Sequence, residues 1–408
     1  MDIAKRYYRR NAFLIFIDPA LFMNGMTFLS ITAVIPYFLI KLGASNTQIS
    51  IANVLVSLGT LIPQLFIAKV VQGMRYKSVN FTWVLLAQRF IFAAYVFTIP
   101  FFAVKNPRLS IVMFLIFWGV FSFFVGTYSP FYFSIMTKVI PYDKRGSLLG
   151  NSYAFGSITA LMSSYLLNVL LNKLRFPLNY TAVFGLGVFI LIVDALLFAI
   201  IKEPPDEQVT KGGSIKDFFK EIPVILKENG HFRNSVIAYV FIVIANVSLS
   251  YYAVYATRAF HASPSDIAAF TAISLGANVV SNILLGQLSS KKGHRAVLMV
   301  STVLGICASI SVLLIRSLIG IFVAFTLSTV LSSGYALSSG ILISKYVEQG
   351  SISTYVAINN TITMFFSTLM FMLSGRLIDA FGFTSVFLVS LVAAVAAFLQ
   401  LRYKVVDD

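Results

Sequence analysis

The sequence predicts an all-α integral membrane protein: twelve transmembrane helices as two pseudo-symmetric six-helix bundles. Three observations predict it. Of the 408 residues, 58% are hydrophobic and only 11% are charged, against roughly a quarter charged in a soluble globular domain. Apolar runs such as Ile31 to Ile40, Ile111 to Val125 and Val386 to Leu399 recur along the chain, and a bilayer is the solvent that accommodates them. Finally, the two halves of the chain resemble each other at matching positions.

Apolar runs of about 20 residues, bounded by charge or by Gly and Pro, set the elements. Span one covers 12–41 after the basic stretch Met1 to Arg10, which lacks a small-residue cleavage site and reads as uncleaved. Span two covers 47–71 and stops before Arg75 and Lys77; span three covers 79–103 and span four 109–137. The cluster Lys138, Lys144 and Arg145 precedes span five at 147–171, and span six runs 178–201 until Glu203-Pro204-Pro205 stops it. The second half offers 234–258, 265–289, 296–315, 317–344, 352–380 and 383–401. All should be helices, because a backbone in hydrocarbon must satisfy its own hydrogen bonds and the runs are too long for barrel strands.

The longest polar stretch, Lys202 to Asn234, divides the spans six and six. The expected domains are an N-terminal bundle at 1–201, a linker at 202–233 and a C-terminal bundle at 234–408. Within the linker, Ser214 and Asp217 suit a helix N-terminus, and Ile215, Phe218, Phe219, Ile222 and Ile225 then share one face. Such a helix would lie on the membrane surface.

The net charge of +16 does not signal nucleic acid, because Lys and Arg sit in short clusters between apolar runs. It reports topology instead. With the N-terminus inside, about 22 of the 31 Lys and Arg fall on the inner side and about 8 outside, and Arg89 alone lies at depth. Both termini are then cytoplasmic, in a multi-pass protein of the cell (inner) membrane. Cys307, the only cysteine, lies in an apolar run, which excludes a disulfide framework and a thiolate metal site. No cofactor, metal or nucleic acid partner is expected; the bilayer and a small-molecule substrate are, with the chain as a monomer.

The repeat is specific. Ala44-Ser45-Asn46-Thr47-Gln48-Ile49 before span two matches Ala262-Ser263-Pro264-Ser265-Asp266-Ile267 before span eight, and Ser57-Leu58-Gly59 matches Ser274-Leu275-Gly276. Pro141-Tyr142-Asp143-Lys144-Arg145-Gly146-Ser147 after span four has its counterpart in Glu348-Gln349-Gly350-Ser351 after span ten. Gly286-Gln287-Leu288-Ser289-Ser290-Lys291-Lys292-Gly293-His294-Arg295 closes span eight. This resembles the loop signature of the major facilitator superfamily, Gly-x-Leu-x-Asp-Arg-x-Gly-Arg-Arg, with Ser290 in place of the acidic residue. Gly375 to Gly382, closing span eleven, keeps the Gly, Leu, Asp and Gly of the same frame through Asp379. Weaker copies, Ala68-x-Val70-x-Gln72 and Asn168-x-Leu170-x-Asn172, close spans two and five, as nested three-helix inverted repeats would leave them. Neither cytoplasmic copy keeps its Asp, and span four lacks the Arg that many proton-driven members carry, so the motifs themselves do not imply proton coupling.

The resemblance implies that spans one, four, seven and ten line a central cavity, with two, five, eight and eleven beside them. The residues it would place there are Asn24, Tyr128, Tyr132, Asn246, Tyr251, Asn282, Asn359 and Asn360, a polar, aromatic and nearly uncharged set. Amides and hydroxyls exchange hydrogen bonds with a neutral solute and tyrosine rings add apolar contact. The same residue types also bind helices to one another, so each carries two open roles.

Ionisable groups at depth are costly unless paired or hydrated. Arg89 lies about ten residues into span three, roughly 15 Å at 1.5 Å per residue. Asp18 and Asp194 lie at similar depth, roughly 12 Å, and one or both should neutralise it. Asp18 followed by Pro19 fits either a helix N-cap or a cavity residue that carries a coupling proton. Arg376 and Asp379 read as a gate or packing pair.

These features predict a secondary active transporter that moves a small neutral or amphipathic solute by alternating access, with proton coupling as an option. A lipid flippase on the same fold is the alternative. A membrane-embedded enzyme is disfavoured, because His231, His261 and His294 all fall in loops and no nucleophile has a base beside it.

Overall fold

The computed structural model describes residues 6–205, 215–347 and 352–405; Ser214 and the turn Glu348 to Ser351 lie outside the described residues. Among the described residues the chain is all helix, without strands. Fourteen helices follow in order. The first seven are α1 Tyr8–Phe28, α2 Val34–Lys41, α3 Asn46–Gln72, α4 Ser78–Lys105, α5 Pro107–Val139, α6 Tyr142–Lys173 and α7 Leu178–Ile200. They continue as α8 Ile215–Glu228, α9 Gly230–Asn246, α10 Leu249–Phe260, α11 Pro264–Leu314, α12 Leu318–Ser344, α13 Ile352–Phe381 and α14 Phe383–Tyr403.

Among the described residues ten candidate membrane spans are long and apolar enough to cross a bilayer, with α9 and α10 joined as one. Three details depart from the expected spans. Span one is broken between Phe28 and Val34, and span seven between Asn246 and Leu249, where Ser248 turns its hydroxyl back onto the Ala245 carbonyl at 3.2 Å. The first helix of each half is thus interrupted. Conversely, α11 runs 51 residues through two expected spans, and only Gly293, at φ 80° and ψ 171°, leaves the helical region. A side chain there would be strained, so the signature glycine marks the bend.

The matched segments before α3 and α11 are both capping boxes. Ser45 Oγ accepts from the Gln48 amide at 3.2 Å while Gln48 Oε1 accepts from the Ser45 amide at 3.0 Å. Ser263 and Asp266 repeat this at 3.2 and 2.7 Å. Reciprocal capping satisfies two otherwise orphaned amides at a helix start.

The chain separates into two compact units: 1–30, 41–44 and 58–215 in the first, and 31–40, 45–57 and 216–408 in the second. Helix α2 and the opening turns of α3 therefore pack with the second half of the sequence. In the first unit α1 packs on α6 and α7, and α4 on α5 and α7. Glycines permit close approach here: a Cβ on Gly126 would stand 2.4 Å from the Thr60 carbonyl oxygen, and one on Gly59 2.7 Å from the Ser122 backbone. Without a hydrophobic drive between helices in lipid, such small-residue contacts carry the packing. Leu14, Phe81, Phe131, Ile135 and Phe198 form the core around the first unit's buried charges.

In the second unit α9 packs on α13 and α14, and α11 on α12 and α14. Phe232, Val236, Tyr239, Leu331, Ala394 and Leu401 lie in its core. Ile222, Ile225 and Leu226 of α8 pack against that core, whereas Phe219 is half exposed. The apolar face of α8 is thus partly held by protein.

Candidate functional site

Three polar clusters stand out in this apolar molecule. The first lies inside the first unit. Asp18, Arg89 and Asp194 come from α1, α4 and α7 and are 1%, 1% and 0% exposed. Arg89 Nη2 donates to Asp194 Oδ2 at 3.2 Å. Its Nε donates to the Leu191 carbonyl at 3.2 Å, and Nη1 to the Leu85 carbonyl at 3.3 Å and to Gln88 Oε1. Tyr128 of α5 donates its hydroxyl to the Asp18 carboxylate, 2.6 and 2.9 Å from its two oxygens. The Asp18 and Asp194 side chains are within hydrogen-bonding reach of each other. Asp18 sits ten residues beyond the start of α1, and Pro19 lies inside that helix, so the N-cap reading is excluded.

Tyr132 stacks on Tyr128 with centroids 5.4 Å apart, and its buried hydroxyl has no hydrogen-bond partner among the described residues. Asn24 has no such vacancy. Its amide donates to Thr159 at 2.7 Å and to the Ala20 carbonyl at 2.6 Å, and its oxygen accepts from Ser163 at 2.5 Å. It joins α1 to α6.

The second cluster follows one stripe of α12. Ser328, Ser332 and Tyr335, at i, i+4 and i+7, share a face, and each meets a different partner. Tyr252 and Ser328 hydroxyls are 3.1 Å apart, Asn246 donates to Ser332 at 2.7 Å, and Asn359 donates to Tyr335 at 3.4 Å. Asn359 also reaches Asn360 at 3.4 Å. The amide oxygens of Asn246 and Asn359 are buried and, among the described residues, accept no hydrogen bond. Asn282, by contrast, is exposed and donates to Asn278 at 2.9 Å, one turn away from Asn278's own bond to Ser333.

The third cluster joins α3 to α13 and α10 within the second unit. Asp379 accepts from Asn46 at 2.8 Å and Thr47 at 2.7 Å at the start of α3. Among the described residues it makes no ion pair with Arg376, and its carboxylate instead ties the Asn46 and Thr47 side chains to α13. One turn away, Gly375 lies so close that a Cβ would meet the Thr47 Cα at 2.7 Å. Tyr251, fully buried, shares a 2.7 Å hydrogen bond with Ser50.

The remaining signature residues are structural in geometry. Ser290 donates to the Gly286 carbonyl at 3.2 Å, and Arg295 donates to the Leu401 and Arg402 carbonyls at 2.9 and 2.7 Å, closing the C-terminal end of α14. The sequence reading missed Glu203, a buried carboxylate. It accepts from the Lys77 and Ser78 amides, the latter at 2.7 Å, and lies 3.3 Å from Lys138. Its only signal was an acidic residue before Pro204-Pro205 with basic residues nearby. Gln88, beside Arg89, also went unnoticed, because a glutamine in a helix resembles many others.

A cavity of about 830 Å³ lies elsewhere in the second unit, between α11 and α12, lined by Ala272, Gly276, Ala277, Val280, Leu284 and Val330 among others. Val280 and Leu284 are more than half exposed on an apolar span, so this groove opens towards lipid rather than towards the polar stripe.

The family model described as Major Facilitator Superfamily matches residues 17–257 and again 235–408. A comparison with curated protein sequences returns no match. Among solved structures, a mutant of the nucleoside transporter NupG superposes with a TM-score of 0.71 at 14% identity, covering 97% of this chain and 98% of that one. A D-xylose-proton symporter gives 0.69 at 16% identity and 98% coverage of both. A bacterial homolog to the human lysosomal transporter Spinster, in an inward-facing and unoccupied conformation, gives 0.68 at 16% with the same coverage. At such identities the likeness carries the fold. With two successive model matches that together span nearly all of the chain, this protein belongs to the Major Facilitator Superfamily.

Proposed function

We propose that the protein is a secondary active transporter that moves a small, uncharged, hydroxylated or amphipathic solute by alternating access, with Asp18 in a proton-coupling role. The solute class rests on one observation: the orphaned amide oxygens of Asn246 and Asn359 on the Ser328–Ser332–Tyr335 stripe. A buried acceptor without a donor costs about 1–3 kcal/mol, and a solute hydroxyl can supply the missing donor. The stripe carries no charge, so a fixed anion or dication would find no counterion there. The first unit offers the Tyr132 hydroxyl in the same condition.

The NupG and D-xylose-proton symporter likenesses agree with a neutral hydroxylated cargo. The interrupted α11 counted as two crossings, with α3 as a further one, brings the ten candidate spans to the expected twelve. The Lys and Arg distribution supports a topology with both termini and the 202–234 loop on the cytoplasmic side of a cell membrane. The apolar groove at Gly276 favours a second reading, translocation of an amphipathic lipid.

Proteoliposomes separate the two. Exchange of radiolabelled nucleosides or monosaccharides supports the first reading, and in that assay Asn246→Ala and Asn359→Ala should each weaken binding about tenfold, the loss of one hydrogen bond to solute. Translocation of a labelled lipid without exchange of any neutral solute would overturn it. If both variants exchange solute normally but melt at lower temperature, the amides serve packing alone.

A further inference from the structure

We propose that Asp18 and Asp194 share a single proton beside Arg89, and that this pair is the site at which the transporter loads and releases its coupling proton. The coupling role rests on the transport reading above; the shared proton does not.

Charge counting leads to it. Two carboxyl groups and one guanidinium, all within 1% of complete burial, would carry a net charge of −1 if every group were ionised. The other titratable groups facing Asp18 are phenols: Tyr128 and Tyr132 of α5, and Tyr153 of α6. With an ordinary pKa near 10 they stay neutral at physiological pH and supply no cation. An uncompensated buried charge is unfavourable by several kcal/mol, and one bound proton cancels it.

Hydrogen bonding says where that proton sits. Four of the five Arg89 N–H groups are committed, to Asp194 Oδ2, Gln88 and the Leu85 and Leu191 carbonyls, and among the described residues none donates to Asp18. Among the described residues Tyr128 is the one neutral donor to Asp18. Asp194 Oδ1 is buried and receives no donor. Yet the two carboxyl side chains lie within hydrogen-bonding reach. Ionised carboxylates only accept, so such a contact is attractive only with a proton between them. Asp194 thus joins two partners: Arg89 neutralises it on one oxygen, and the proton links it to Asp18. The proton belongs to the pair rather than to either residue.

Infrared difference spectroscopy of the purified protein, titrated with pH in solute-free liposomes, reads the protonated carboxyl directly. Wild type should show one titrating carboxylic C=O band that is lost in Asp18→Asn and equally lost in Asp194→Asn. Each isosteric change leaves one carboxylate facing one guanidinium, neutral without a proton. Arg89→Gln should raise the band about twofold, because both carboxyls must then be protonated to be neutral. No titrating band in wild type, or a band that persists in either Asn variant, would overturn the shared proton. Solute uptake in the same liposomes tests the coupling role separately. An imposed pH gradient should drive accumulation in wild type and not in Asp18→Asn, whereas wild-type accumulation indifferent to the gradient overturns coupling while the titration result stands.

Discussion

At the scale of single residues, depth arithmetic alone was enough to bring Arg89 and Asp194 to one level, because a helix advances a fixed 1.5 Å per residue. It could not tell which way each side chain points round its helix, so Tyr128 as the donor to Asp18 and Gln88 as the neighbour of Arg89 were invisible. The pair has a measurable consequence. Removing one partner of a buried ion pair typically costs about 3–5 kcal/mol, because the other charge is left uncompensated. Arg89→Leu should therefore lower the unfolding free energy by that order, and Arg89→Leu with Asp194→Asn should recover much of it. The loss in the single variant should also shrink as the pH falls, since protons then neutralise the orphaned carboxylates. Denaturant unfolding in detergent at two pH values checks both; equal losses in single and double variants would show that the pair contributes no coupling. Asn24 teaches the opposite lesson. Its type and span matched a binding residue, but its amide is spent on Thr159 and Ser163, partners that no spacing rule connects to it.

At the scale of elements, the all-helical class and many of the helix ends were legible, because hydrocarbon admits few other folds. The breaks in α1–α2 and α9–α10 were not, since each arises from a few residues of local geometry inside a continuous apolar run. Nor did the Gly375–Asp379 frame disclose its partner. The frame read as a gate or packing pair of Arg376 and Asp379, whereas Asp379 accepts from the Asn46 and Thr47 side chains at the start of α3 and Gly375 lets the helices touch. A carboxylate near a helix N-terminus gains from the helix dipole, about 0.3–1 kcal/mol at the surface. Asp379→Ala should thus be mildly destabilising, while Gly375→Ala, which drives a Cβ into the Thr47 backbone, should cost about 1–3 kcal/mol. Gly276→Ala is the control, because nothing lies within 4 Å of its Cβ position. The measurement is the melting temperature of each variant together with thiol labelling of Ser50→Cys in a Cys307→Ser background. Gly375→Ala should raise the labelling rate and Gly276→Ala should not; identical rates would mean that the α3–α13 approach is not held by this glycine.

At the scale of the whole molecule, composition and the repeat carried the family, but the packing units do not follow the sequence halves. Residues 31–40 and 45–57 belong to the unit built mainly from the second half, a division set by contacts such as Asp379 with Thr47 and Tyr251 with Ser50 rather than by any linker. What the sequence does bear on globally is sidedness, through a bias in Lys and Arg that acts during insertion and leaves no mark on the folded contacts. The bias assigns Lys220 on α8 and Arg108 at the start of α5 to opposite faces of the membrane, and both are exposed. In a Cys307→Ser background, Arg108→Cys should react readily with an impermeant thiol reagent added outside intact cells. Lys220→Cys should react only after the membrane is opened, because about 22 basic residues against 8 favour the 202–234 loop inside. Cys307 must be removed because it is itself exposed on the surface. Labelling of Lys220→Cys in intact cells, with Arg108→Cys protected, would invert the topology. The charge bias would then have lost to another determinant of insertion, and the end of the molecule where Asp379 holds α3 would face the cytoplasm.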